Sequence, residues 1–102
     1  MDLYRIVDTT ELNVIKTTGT YGFSPNFSGK YFGFSRVQTE NLFNNIYRNG
    51  GSLTQTTVPM KVIYQGHEFS DSRVAGSSIH FSDQVLPIFY KSMTPIRVIY
   101  TR

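Results

Sequence analysis

A chain of 102 residues is one domain's worth of polypeptide, since neither half alone would bury a core. Eight Phe and seven Tyr supply large apolar area for that core, and the absence of cysteine excludes disulfide staples, thiolate zinc sites and a cysteine nucleophile. The net charge of +3 is compatible with an anionic partner without demanding one; the nearest thing to a basic cluster is Lys91, Arg97 and Arg102. The opening MDLYRIVDTT lacks the basic start and apolar run of a signal peptide. No stretch approaches the ~20 apolar residues of a membrane span, so no membrane partner is expected. Met1 stands directly before a strand-like LYRIV, which points to a domain cut from the end of a larger protein.

In chain order, Leu3–Val7 alternates and is rich in β-branched and aromatic residues, which predicts a strand. Asp8 followed by Glu11 fits a capping box, with Thr9 or Thr10 as other cap candidates, and Gly19 is placed as the stop of a short helix. The first half of TYGFSPNFSGKYFGFS is loop, and Lys30–Phe34 is apolar enough for a strand. Arg36–Arg48 turns helical, with Leu42, Phe43, Ile46 and Tyr47 as its apolar stripe and Gly50-Gly51 as its end. Thr57–Tyr64 reads as a strand, with Pro59 marking it as an edge strand or marking the strand's start. QGHEFSDSRVAGSS reads as turn and loop. Ile79–Phe81, Gln84–Phe89 and Ile96–Tyr100 read as strands, with Lys91–Pro95 as the last turn. The sum is an α+β domain with two short helices near the amino terminus and a mixed or antiparallel sheet.

Neither a dinucleotide-binding GxGxxG after a strand nor a GxxxxGK[ST] loop occurs. His67 and His80 have no metal-ligand spacing, and no metal is expected. Three places remain: Tyr4-Arg5 in the first strand, GKYFGFS at residues 29–35, and DQVLPIFYKSMTPIRVI beginning at Asp83. Each has an ordinary structural explanation. Arg5 alone fits a solvent-facing strand position, Ser35 fits an N-cap with Gln38 as its box partner, and Asp83 and Gln84 fit a turn.

Taken together, they resemble the ADP-ribosyltransferase fold, in particular the small toxin domains at the carboxyl ends of Rhs-type and other bacterial polymorphic toxins. Leu3-Tyr4-Arg5 and Thr18-Gly19 match the family's opening. Gly29-Lys30-Tyr31-Phe32 and Ser35 match its second motif. Gln84-Val85-Leu86, Pro87, Thr94-Pro95, Ile96 and Val98 match its closing pattern. The likeness runs from Leu3 to Ile99, nearly the whole chain.

That resemblance implies a small split β-sheet and transfer of ADP-ribose from NAD, as co-substrate, to a macromolecule. Arg5 would engage the ribose and phosphates of NAD, Ser35 would order the pocket, and Tyr4 with Tyr31, Phe32 or Phe34 would wall it. Gln84 stands where the family more often has Glu, and Asp83 is the alternative third catalytic residue; in a strand only one of the two faces the NAD. The implied protein is a monomeric antibacterial toxin, the carboxyl-terminal domain of an effector secreted by a type VI or contact-dependent system. It would act in the cytoplasm of a target bacterium, on a protein or RNA of the translation machinery, and a cognate immunity protein would plug its cleft. The competing expectations are a small toxin ribonuclease of the barnase or RelE kind, with His67, Glu68 and His80 as acid–base candidates, and a non-catalytic binding module.

Overall fold

Alternation along the first strand decides the two sides of the molecule. In the computed structural model, which describes residues 1–47 and 50–102, β1 (Asp2–Val7) turns Leu3 and Val7 to one side of a sheet and Ile6 to the other. Asp8 accepts a hydrogen bond from the Glu11 N–H at 2.8 Å and so caps α1 (Thr9–Thr18). Gly19 ends that helix in the left-handed region, φ 77°, where a side chain would be strained. After β2 (Lys30–Gly33), the Ser35 hydroxyl accepts from the Gln38 N–H at 3.3 Å and caps α2 (Arg36–Asn45). Then follow β3 (Ser52–Thr57), α3 (Met60–Ile63), a hairpin of β4 (His67–Asp71) and β5 (Gly76–Phe81), α4 (Leu86–Ser92) and β6 (Arg97–Thr101).

The described residues therefore form an α+β domain of four helices and one six-stranded sheet, with every pairing antiparallel and the order β4-β5-β2-β1-β3-β6. The two ladders of β1 are unequal. β1 pairs with β3 all the way from Asp2↔Thr57 to Val7↔Ser52, but with β2 only at Tyr4↔Gly33. The sheet is nearly parted along that line.

Its two faces are covered unequally as well. On one, Leu3, Val7, Phe32, Ile79 and Phe81 meet Ile15 of α1, Val62 of α3, and Leu86 and Phe89 of α4 in a continuous core. Phe32 stacks on Phe89 at 4.9 Å, and Phe81 meets Phe89 edge-on at 5.0 Å. On the other face α2 packs alone, with Phe43 over Ile6 and Leu53.

Several sequence expectations are corrected. Gln84–Phe89 is not a strand: residues 83–85 form a turn, and Leu86 and Phe89, three apart, face the core from α4 with Pro87 in its first turn. A short apolar run does not distinguish a buried strand from a buried helix. The same ambiguity misplaces Thr57–Tyr64, where β3 ends at Thr57 and Val62 and Ile63 are buried by α3. β3 itself escapes notice because the residues it buries include Ser52, Thr54 and Thr56, which find hydroxyl or carbonyl partners. The loop expected at QGHEFSDSRVAGSS holds β4 and its turn, a mostly polar edge strand. The second helix ends at Asn45, and Arg48, its expected last residue, lies outside the described residues.

Candidate functional site

Where β1 and β2 part, a cleft of about 230 Å³ opens. Arg5 reaches it from β1 and is the best-anchored charge in it. Its Nε and Nη2 donate to the two oxygens of Glu11 at 2.6 and 2.8 Å, and Nη1 donates to the Tyr31 carbonyl at 2.9 Å, across the gap that the backbone ladder leaves. The guanidinium also lies 5.9 Å from the centre of the Phe32 ring. Three of its five N–H groups are engaged, so two are left without a partner among the described residues.

Glu11 is shared. Lys30, with a side chain only 6% exposed, donates to Glu11 Oε1 at 3.0 Å, so two cations meet one carboxylate. Burial alone would raise the Glu11 pKa, but the hydrogen bonds and charges of Arg5 and Lys30 lower it below the usual carboxylate value. Burial likewise opposes the Arg5 charge, and Glu11 overcomes it. The network sets two cations against one carboxylate and so carries one net positive charge.

The β4–β5 hairpin supplies the opposite wall. Arg73 clamps Asp71 from Nε at 2.8 Å and Nη2 at 2.7 Å, and its own N–H adds a bond at 3.0 Å. Those bonds, with a smaller one from Ser78, hold the Asp71 carboxyl down at about 2 although burial pushes the other way. Arg73 lies 5.7 Å from the centre of the Tyr31 ring. The cleft thus has an arginine on each side, each held by a carboxylate.

Thr39 closes the α2 side. It is 1% exposed and its hydroxyl has no hydrogen-bond partner among the described residues. In α1, by contrast, Thr17 and Thr18 donate to the carbonyls of Asn13 and Val14 at 2.8 Å. Thr39 turns its hydroxyl toward β2 instead, where a Cβ on Gly33 would stand 2.1 Å from it. Gly33 therefore lets α2 lie close to the parted strands. An unpaired buried hydroxyl of this kind costs about 1–3 kcal/mol.

Of the residues expected from sequence, Tyr4, Arg5, Tyr31 and Phe32 all line the cleft. Phe34 is half-buried and packs against the main core. Ser35 caps α2 and is not part of the wall. Gln84 is exposed in the turn before α4, and both carboxylate oxygens of Asp83 are buried without a partner among the described residues; neither residue lines the cleft. Arg5, Ser35 and Gln84 are thus not brought together. Sequence reasoning missed Thr39, Asp71, Arg73 and Ser78. The one available signal was the Asp71-Ser72-Arg73 spacing, which lets the arginine fold back on the carboxylate within a tight turn.

His67 and His80 face each other as direct partners in the β4–β5 ladder. His80 Nε2 lies 2.6 Å from the Ser28 carbonyl, which ties the loop before β2 to the sheet. Among the described residues no cluster of three or more His, Asp or Glu is arranged to hold a metal ion, and no helix is long and apolar enough to cross a membrane. Comparison with family models, curated proteins and solved structures gives no match.

Proposed function

We propose that the chain is an ADP-ribosyltransferase that holds NAD in the cleft between β1 and β2, on a sheet of the small, split ADP-ribosyltransferase type. What carries the assignment is the position of Arg5. It stands on a central strand where the ladder fails, beside the Phe32 ring, with two N–H groups that have no partner among the described residues. A rigid, permanently charged fork fixed by Glu11 is suited to the diphosphate and ribose of a dinucleotide. Tyr31, 44% exposed, offers aromatic surface to the nicotinamide.

In the reaction, the bond between the ribose anomeric carbon and the nicotinamide nitrogen breaks, and its electron pair leaves with nicotinamide. A nucleophile of the target bonds to the same carbon and loses its proton to solvent. Positive charge develops on the ribose as the bond opens, as in glycoside cleavage. The ionised carboxylate in the cleft wall is Asp71, and it takes the charge-stabilising part that Gln84 would have filled from a strand. Ser35 acts indirectly, by fixing the start of the helix that brings Thr39 to the wall. The biological setting proposed is that of an antibacterial effector domain acting in the cytoplasm of a target cell, with an immunity protein as its inhibitor.

The test is transfer of label from NAD, marked on its adenylate half, to the protein or RNA fraction of a bacterial lysate. Transfer by the native chain and its loss in Arg5→Lys, which keeps a charge but not the fork, is the expected result. Full transfer by a folded Arg5→Lys variant would remove Arg5 from the site. One observation favours the ribonuclease alternative, the cross-strand pairing of His67 with His80. RNA fragments accumulating without NAD consumption would decide for it.

A further inference from the structure

We infer that the open outer part of the sheet, beside the cleft, binds single-stranded RNA. α2 lies over Ile6 and Leu53 and reaches the β4–β5 turn, where Asn41 and Asn45 donate to the carbonyls of Val74 and Arg73. Strand alternation leaves a strip of side chains beside it on β2, β5 and β4. The strip is made of Tyr31 on β2, His80 on β5, His67 and Phe69 on β4, and Arg73 in the turn between β4 and β5. Tyr31 is 44% exposed, its ring centre 4.5 Å from that of His80 and 5.8 Å from that of Phe69, with the Arg73 guanidinium 5.7 Å away. Phe27, 82% exposed at the tip of the loop before β2, joins the strip because the next residue, Ser28, is held to His80.

Three points select nucleic acid over a protein partner. Flat rings and a guanidinium on an open sheet are the elements on which unpaired bases stack. Neither carboxylate of β4 opposes a polyanion there: Asp71, with a side chain 4% exposed, is held by Arg73, and alternation sends Glu68 to the opposite face. His67 and Arg73, both exposed at one edge, present N–H donors that phosphate oxygens beside stacked bases can accept. The strip is also continuous with the cleft, because Tyr31 and Arg73 belong to both. A base or ribose hydroxyl of a strand lying on it is led toward the bound NAD, so the RNA is the macromolecule that receives the ADP-ribose. That last step rests on the transfer reaction proposed above, whereas the binding does not.

The experiment is fluorescence anisotropy of a labelled single-stranded RNA of about 12 nucleotides with the whole chain. A polyglutamate peptide serves as the competing polyanion, and NAD cleavage is followed in parallel. Binding on the order of micromolar at low salt, falling as salt rises from about 50 to about 200 mM, is expected. Phe27→Ala and His67→Ala, neither of which lines the cleft, each weaken RNA binding at least about fivefold. NAD cleavage does not change in either variant. No RNA binding, RNA binding indifferent to both substitutions, or tighter binding of the peptide overturns the inference. RNA binding that follows these expectations without any NAD cleavage refutes the transferase and leaves this surface standing. NAD cleavage without RNA binding does the reverse.

Discussion

The two faces of the sheet are built on different plans. One is sealed by α1, α3 and α4 over interlocked rings of Phe32, Phe81 and Phe89. The other has α2 alone, a three-residue core at Ile6, Phe43 and Leu53, and an open strip over the outer strands. The charged groups collect along the line where β1 and β2 part, and Arg5 crosses it to reach the Tyr31 carbonyl. Buried apolar area is therefore concentrated on the face covered by α1, α3 and α4. The exposed rings and free donors lie at the gap and on the opposite, open face. A sheet with a full ladder between β1 and β2 would have no cleft there and no reason to bury an arginine.

That contrast can be broken most sharply in the large core. Phe89→Ala removes a ring packed on Phe32 and Phe81 and should cost about 3–5 kcal/mol in denaturant unfolding. Phe43→Ala, equally buried but in the smaller cluster, should fall at or below the low end of that range, about 3 kcal/mol. Equal losses, or a larger one for Phe43, would contradict the division between the faces.

The charged line between them comes next. Glu11→Gln leaves Arg5 and Lys30 buried beside a neutral group and should cost about 3 kcal/mol, unfolding the chain at lower denaturant. The pH dependence has the same origin. Glu11 and Asp71 both titrate lower in the folded chain than their ordinary values, so each contributes stability that is fully present above the unfolded pKa and is lost as pH falls through the folded one. Thermal stability should hold down to about pH 5 and then fall, the Asp71 share disappearing between about pH 4 and pH 2. Asp71→Asn should flatten the acid end of that curve; an unchanged curve would show that the Arg73 clamp is not made in solution.

Smaller, and opposite in sign, is Asp83→Asn. Both oxygens of Asp83 are buried without a partner among the described residues, so removing the charge should stabilise the fold by about 1 kcal/mol. Destabilisation would mean that the carboxylate has a partner and a role in the fold. At the bottom of the scale, Phe27→Ala should change stability by no more than about 0.5 kcal/mol, because the ring is already in solvent.

How much of this was legible in the sequence depended on whether the signal was local. Asp8, Gly19 and Ser35 act within one turn of backbone, and all three sit where their residue types predict. β1 alternates visibly because its apolar residues serve both cores. β3 and β4 were hidden because hydroxyl and charged side chains occupy positions where a strand pattern needs apolar ones. LPIFY was misread because Leu86 and Phe89 suit a helix while the run as a whole suits a strand. The cleft was half legible. Tyr4, Arg5, Tyr31 and Phe32 come from two strand motifs that the ladder places side by side. Thr39, Asp71 and Arg73 enter through the approach of α2 and the turn after β4. The Asp71-Ser72-Arg73 spacing signals the clamp of Arg73 on Asp71, but nothing local places it, or Thr39, against β1 and β2. Glu11 fits the sequence as the capping-box partner of Asp8, but its carboxylate is taken by a strand residue and by a lysine 19 positions away.

The central claim is that the gap between β1 and β2 is the NAD site, and titration of the isotopically labelled chain with NAD, followed by amide resonances, tests it most directly. Shifts that saturate together at Arg5, Gly33, Arg73 and Ser78, and that are absent from Asp83 and Gln84, are the predicted result. No saturable shifts, or shifts confined to the turn around Asp83 and Gln84, would contradict it.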